Sequence, residues 1–273
     1  MKINLLLASV GLLGVALGPA RAQAPRVPAA PLPTPSDEQS YRRETVFGVN
    51  FNTQGGLIGG VNVRVARVLD ERWLRFWSLE GVSFKNPKEE GFTTYNGTTI
   101  KRYKSNYALS LRPSIGIQRI LFRKAADAGV QVNGLLSVGP SLGLLMPYYV
   151  SYNQTAGGTL TTPGTGAVTQ NDIIVNVQYS PTNVPNENAI ADRAPIFAGI
   201  AKTQIVPGAH LRGALSFEYG RYRDAVAGAE VGFLLEAFTK QLVILDPPGG
   251  GAADLNHRFF PAVYLTLYLG HRS

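Results

Sequence analysis

From Tyr107 to Ile117 the chain alternates with a strict period of two. Tyr107, Leu109, Leu111, Pro113, Ile115 and Ile117 are large and apolar, whereas Ala108, Ser110, Arg112, Ser114 and Gly116 are small or polar. Successive strand side chains point to opposite faces, so this stretch predicts a β-strand with one apolar and one polar face. The pattern recurs, and eight strands are predicted at roughly 44–53, 56–69, 72–84, 106–119, 129–148, 206–220, 225–238 and 259–271. In the sixth, Leu211, Leu215 and Phe217 oppose His210, Arg212, Ser216 and Glu218. In the eighth, Val263, Leu265, Leu267 and Leu269 oppose Tyr264, Thr266, Tyr268 and Gly270. The fifth slips in parity, and a β-bulge near Gly134 is expected there.

The connections sort into two kinds. Asp70-Glu71, Lys124–Gly129 and Arg221–Asp224 are short, residues 85–105, 149–205 and 239–258 are long, and Thr53–Gly56 is a tight glycine turn. If the N-terminus is periplasmic, every long loop falls on the outer side and the three short turns on the periplasmic side. An even strand count with that asymmetry is the pattern of an outer-membrane barrel. The predicted fold is therefore all-β, an eight-stranded antiparallel transmembrane β-barrel with a closed lumen filled by side chains. Ten strands is the alternative, if Asp172–Ser180 and Ala194–Val206 both span; otherwise the first is an extra strand above the membrane and the second packs over or into the barrel mouth.

A soluble β-sandwich also alternates. Two features favour the barrel. The polar face is rich in Gly, Ser, Ala and Asn, as a crowded interior requires. The cations that interrupt the apolar face, Arg67, Arg75 and Arg119, gather near the periplasmic ends, where they can snorkel to head groups beside Trp73 and Trp77. The polar face must then line the lumen, because lipid satisfies no charges.

The first residues change the address. Lys2, the apolar Leu5–Leu17 and Ala20-Arg21-Ala22 form a signal peptide over 1–22. Residues 23–43, with Pro25, Pro28, Pro31, Pro33 and Pro35, form an extended periplasmic linker, and 44–273 form the barrel. The formal charge of +8 falls to +6 without Lys2 and Arg21. An exported chain with no Lys/Arg-rich run is not expected to bind nucleic acid; anionic outer-membrane lipids suit it better. There is no cysteine, hence no disulfide and no lipoprotein attachment site.

Candidate chemistry concentrates on the lumenal face. Arg64, Arg112, Arg212 and His210 share it with Glu80, Glu218, Glu230 and Glu236. Eight strands enclose only enough room for side chains, so these charges must pair. A structural salt-bridge network is expected, with Glu80 the nearest partner of Arg112; a narrow ion or proton path is the functional alternative. His210, Ser216 and Glu218 are the residue types of an acyl-transfer triad. Residues six apart on a strand are about 20 Å apart, however, so His210 cannot activate Ser216. No catalytic site, cofactor or metal-ligand spacing is evident. In the 85–105 loop, Lys85, Lys88, Lys101, Arg102 and Lys104 stand against Glu89 and Glu90 and are candidates for contact with lipopolysaccharide phosphates.

The run Phe47-Gly-Val-Asn-Phe-Asn-Thr-Gln-Gly-Gly-Leu-Ile-Gly-Gly60 resembles the opening of an uncharacterised family of small outer-membrane β-barrel proteins from Bacteroidota-type bacteria. Lys85-Asn-Pro-Lys-Glu-Glu90, Pro207–Arg212 with Phe217-Glu218, Val231–Phe238 and Tyr264–Gly270 extend the resemblance over most of the mature chain. It implies fold and outer-membrane address but no reaction; the barrel assembly machinery is the partner expected for insertion. The chain departs from the usual terminal aromatic in ending His271-Arg272-Ser273. The function expected is that of a structural or surface-interaction scaffold. A narrow passage for small or hydrophobic solutes is the first alternative and an envelope lipid-modifying enzyme the second.

Overall fold

The computed structural model describes residues 41–54, 56–94, 96–123, 129–155, 173–219, 225–249 and 251–273. The expected signal peptide, the proline-rich segment up to residue 40, most of the 124–129 turn, the 221–224 turn and residues 156–172 lie outside the described residues.

Eight long strands occupy the alternating segments: β1 (Arg43–Asn52), β2 (Gly56–Val68), β3 (Trp73–Phe84), β6 (Asn106–Phe122), β7 (Val130–Pro147), β11 (Gln204–Tyr219), β12 (Ala225–Phe238) and β13 (Phe259–Arg272). The outer connections hold five short strands: β4 (Gly91–Thr93), β5 (Thr99–Lys101), β8 (Tyr149–Asn153), β9 (Ile174–Gln178) and β10 (Ile190–Arg193). The long strands close in the order β1-β13-β12-β11-β7-β6-β3-β2, each antiparallel to its neighbours. The first and last strands pair from Glu44↔Arg272 to Asn52↔Tyr264, which leaves no sheet edge exposed.

Apolar outward residues remain uncovered. Phe47, Val61, Leu136, Val138, Phe233 and Leu269 are each more than half exposed. A sandwich would bury such a face on a second sheet; a membrane barrel turns it to lipid. The fold is an eight-stranded transmembrane β-barrel.

Two expectations about the strands need correction. Ten strands do not form: β9 pairs with β8 in a separate sheet ordered β10-β8-β9, and Ile196–Lys202 is a 3-10 helix beside the barrel rather than a span. That helix leaves Ile196, Phe197 and Ile200 exposed, so it does not fill the mouth. Nor does β7 carry a bulge at Gly134. Its register with β11 is unbroken, and the shift lies across from it in β6, between Ile120 and Phe122. Leu135 looks out of phase only because it packs inward with Ala66, Leu74, Phe76 and Ile120. Farther along the same strand pair, Pro113 has no N–H to donate, and the ladder is interrupted between Leu111↔Leu142 and Ile115↔Val138. Gly139 permits the close approach there, since a Cβ would strike the Pro113 carbonyl.

The interior is layered. Phe84, Leu145, Val206 and Phe238 ring the outer mouth, and Leu242, Ile244 and Leu245 from the 239–258 connection drop into that ring. The charged residues follow below, and the cluster around Leu74 and Phe76 lies toward the end that carries the Leu69–Arg72 turn. The third long loop is thus a cork. Asn256 pins it: the Ile244 and Leu245 amides donate to Asn256 Oδ1 at 2.7 and 3.1 Å, and Asn256 Nδ2 donates to the Leu245 and Ala252 carbonyls at 2.7 Å each.

Candidate functional site

Alternation brings the predicted charges into one lumenal belt, and barrel closure decides who meets whom. Arg112 on β6 holds Glu236 on β12 with two bonds, Nε to Oε1 at 2.9 Å and Nη2 to Oε2 at 2.5 Å. Its Nη1 reaches Glu80 on β3 at 3.1 Å, and Nη2 also donates to Gln54 Oε1 at 3.1 Å. Glu80 is shared with Arg212 on β11 and accepts from Asn50 Nδ2 at 2.7 Å. The principal partner of Arg112 is therefore Glu236, across the lumen, and Glu80 is the second. Arg64 pairs with Glu230 at 2.6 Å, and Tyr264 donates to the other oxygen of that carboxylate at 2.7 Å. Every one of these ion-pair side chains is buried.

Glu218 sits apart from this belt, in a group beside the outermost pair of the first and last strands that the sequence did not single out. Arg272 bridges Glu218 at 2.5 Å and Glu44 at 2.8 Å. The Arg272 guanidinium lies 4.2 Å from the centre of the Tyr41 ring. The signal was available: Glu44 and Arg272 fall on the polar parity of the first and last strands.

His210 is hydrogen-bonded to Ser114 through Nε2 at 2.8 Å and to Ser141 through Nδ1 at 3.0 Å. It ties β6, β7 and β11 together. Ser216 instead meets the Tyr268 hydroxyl at 2.5 Å, so the triad types share a face without sharing a site. His257 is exposed in the last outer connection.

Above the lumen, the other two outer connections fold on each other. Ile100, Tyr148, Val150, Tyr152, Tyr179 and Ile190 form a separate buried cluster. Tyr148 stacks edge-on against Tyr107 at 5.2 Å and Tyr179 at 6.2 Å between ring centres. Burial pushes the Tyr148 phenol up to about 12. Burial also raises the Tyr179 phenol above its ordinary value, while its oxygen accepts from the Tyr103 amide and its hydroxyl donates to Glu187 at 2.7 Å.

Of the cations expected at the outer surface, only some face outward. Lys85, Lys88 and Lys101 are exposed. Lys104 is not: its ammonium is buried on Glu89 at 2.8 Å and cannot reach a lipid head group. Burial holds that ammonium below the usual lysine range despite Glu89. Arg102 is engaged by Glu187 at 3.1 Å and lies over the Phe92 ring. At the opposite end of the barrel Arg67, Arg75 and Arg119 are all exposed on the outer wall, with Arg119 over Trp73 at 5.3 Å and Arg75 over Trp77 at 4.9 Å.

These features define a small transmembrane β-barrel with a filled lumen and a folded cap at one end. No family model and no curated protein matches the chain. Among solved structures, it is similar in chain path to Ail, the attachment invasion locus protein of Yersinia pestis, at 10% identity and a TM-score of 0.37 over 86% of this chain and 99% of that one. Ail in complex with the heparin analogue sucrose octasulfate matches at 9% identity and a TM-score of 0.36, over 85% and 97%. A TodX monoaromatic hydrocarbon channel deltaS2 mutant matches at 12% and 0.23, over 84% and 66%. Likeness at this level carries nothing about activity.

Proposed function

We propose that the protein is a non-catalytic scaffold: a closed barrel that presents a folded cap, built from the described parts of the 85–105 and 149–205 connections, to the cell exterior. The observation that carries this reading is the contrast between a plugged lumen and an ordered outer surface. The salt-bridge belt occupies the space through which a solute would pass, and Leu242, Ile244 and Leu245 cork its mouth. The same stuffing argues against the passage alternative. In this reading the chain is exported on its 1–22 signal, inserted by the barrel assembly machinery, and followed in the periplasm by its proline-rich linker. Arg119 meets head groups at the inner interface, and Lys85, Lys88 and Lys101 meet lipopolysaccharide phosphates outside.

Planar-bilayer recording on the full chain tests the scaffold. No stable conductance is expected, and a steady open channel would overturn the reading. Acetylation of surface amines tests the lysines. Lipopolysaccharide in the outer leaflet should shield Lys85, Lys88 and Lys101; labelling equal to that in plain phospholipid vesicles would return them to the role of solvated loop residues.

A further inference from the structure

On the outer wall of β1–β3, near the periplasmic end, three arginines stand in one row. Arg43 is directly opposite Arg67, and Arg67 is directly opposite Arg75. Like charges facing across strands repel. None of the three is ion-paired with a side-chain carboxylate among the described residues, and the chain-terminal Ser273 oxygen is held by the backbone amides of Arg42 and Arg43, at 3.1 and 2.8 Å. Glu44 turns into the lumen to Arg272, and Asp70 accepts from the backbone amides of Arg72 and Trp73. The guanidinium groups of Arg75 and Arg67 both approach the Trp77 ring, at 4.9 and 6.0 Å from its centre. Trp77 lies one outward position farther up β3, so the charges lean away from the periplasm.

Beyond the layer of Thr45, Val65 and Trp77, the same wall carries an apolar trough of about 1090 Å³, whose lining includes Phe47, Val49, Val61, Leu79, Gly81 and Leu267. A Cβ on Gly81 would meet nothing within 4 Å, so the trough is open at that position rather than closely packed. Phe47 lies four residues along β1 from Arg43, roughly 13 Å at strand rise. Unpaired cations at one end of an apolar trough match a molecule with an anionic head and a hydrocarbon tail.

We propose that this wall holds an anionic glycerophospholipid of the periplasmic leaflet. Its phosphate sits on the Arg43–Arg67–Arg75 row, and an acyl chain lies in the trough over Gly81. The leaflet follows from the row's place beside the short Leu69–Arg72 turn and the barrel's terminal strand pair. The anionic class follows from three adjacent guanidinium groups without a side-chain ion pair; a zwitterionic head would bring another cation to them. The site depends on the membrane orientation of the barrel, not on the scaffold role of its cap.

Native mass spectrometry of the full chain in nonionic detergent, titrated with phosphatidylglycerol or phosphatidylcholine, tests the site. Phosphatidylglycerol should be retained about tenfold more tightly, the scale of one lost charged hydrogen bond. The double variant Arg67→Gln/Arg75→Gln should bring the two lipids level. Gly81→Leu places a side chain in the trough where the acyl chain would lie and should weaken both, while the faster migration of the unboiled barrel on gels stays intact. Equal retention by the wild type, or undiminished preference in the double arginine variant, would overturn the proposal. Normal retention by Gly81→Leu would remove the acyl chain from the trough and overturn it as well.

Discussion

The belt inside the barrel and the core of the outer cap are both buried, yet they are built from opposite residue types. The belt is guanidinium and carboxylate; the cap core is tyrosine, valine and isoleucine. The difference follows from where the solvent is. The barrel wall spends its apolar side chains on lipid, so its inner face inherits the polar half of each alternation. The cap stands in water on all its outer sides and buries apolar groups in the ordinary way. One chain therefore holds two cores that should fail in different ways.

The largest effect is expected at Arg112. Replacing it with Leu removes both hydrogen bonds to one buried carboxylate and leaves Glu236 with Ser110 as its remaining polar contact. Breaking a buried pair from one side costs about 3–5 kcal/mol. Heat-modifiability on gels should show the folded band collapsing at lower temperature. Adding Glu236→Gln should restore much of the loss, whereas adding Glu80→Gln should restore less, because Arg212 still holds Glu80. Equal rescue by the two would contradict the geometry.

That contrast also marks what was readable from the chain. Period two located all eight strands and put Arg64, Glu80, Arg112 and Glu230 on one face. It also made Glu80 a neighbour of Arg112, since β3 and β6 adjoin and the two residues are directly opposite. Glu236 was out of reach of that reasoning: β12 is three strands away around the barrel, and only closure brings it across the lumen. Parity likewise says nothing about loops. Lys104 looked like one more surface cation until its burial on Glu89, and Leu242–Leu245 looked like loop although four successive apolar residues were a sign of docking.

The cork gives the next effect. Leu242→Ala should loosen the 239–258 connection by about 2–5 kcal/mol, the range for a buried leucine. Amide exchange at Ile244 and Leu245 should quicken while the barrel's melting on gels hardly moves. A matching fall in barrel stability would mean that cork and belt form one cooperative unit.

Alkaline pH separates the cap from the belt more gently. Tyr148 and Tyr179 ionise later folded than unfolded, so their contribution is complete below about pH 10 and is lost as the pH climbs through their folded values, near 12 for Tyr148. Lys104 acts in the other direction: its depressed folded value means that stability is gained as the pH rises toward the ordinary lysine range. Cap stability should therefore creep up with pH and then fall beyond 10. Near-ultraviolet circular dichroism should record that fall, and Tyr179→Phe should delay it.

The smallest effect is the sharpest test of the comparison, because it uses the same two residue types. Arg102 and Glu187 bond at 3.1 Å in the cap, much as Arg112 and Glu80 do in the lumen. The Arg102 side chain, however, is 40% exposed and that of Arg112 only 2%. Water already reaches the outer pair, so Arg102→Ala leaves the Glu187 charge in a medium that accepts it. Such pairs contribute at most about 1 kcal/mol. A double-mutant cycle with Glu187→Gln should give a coupling in that range, shrinking further in salt. A coupling as large as that between Arg112 and Glu236 would mean that the cap shields its charges as the lumen does, and the two-core picture would lose its physical basis.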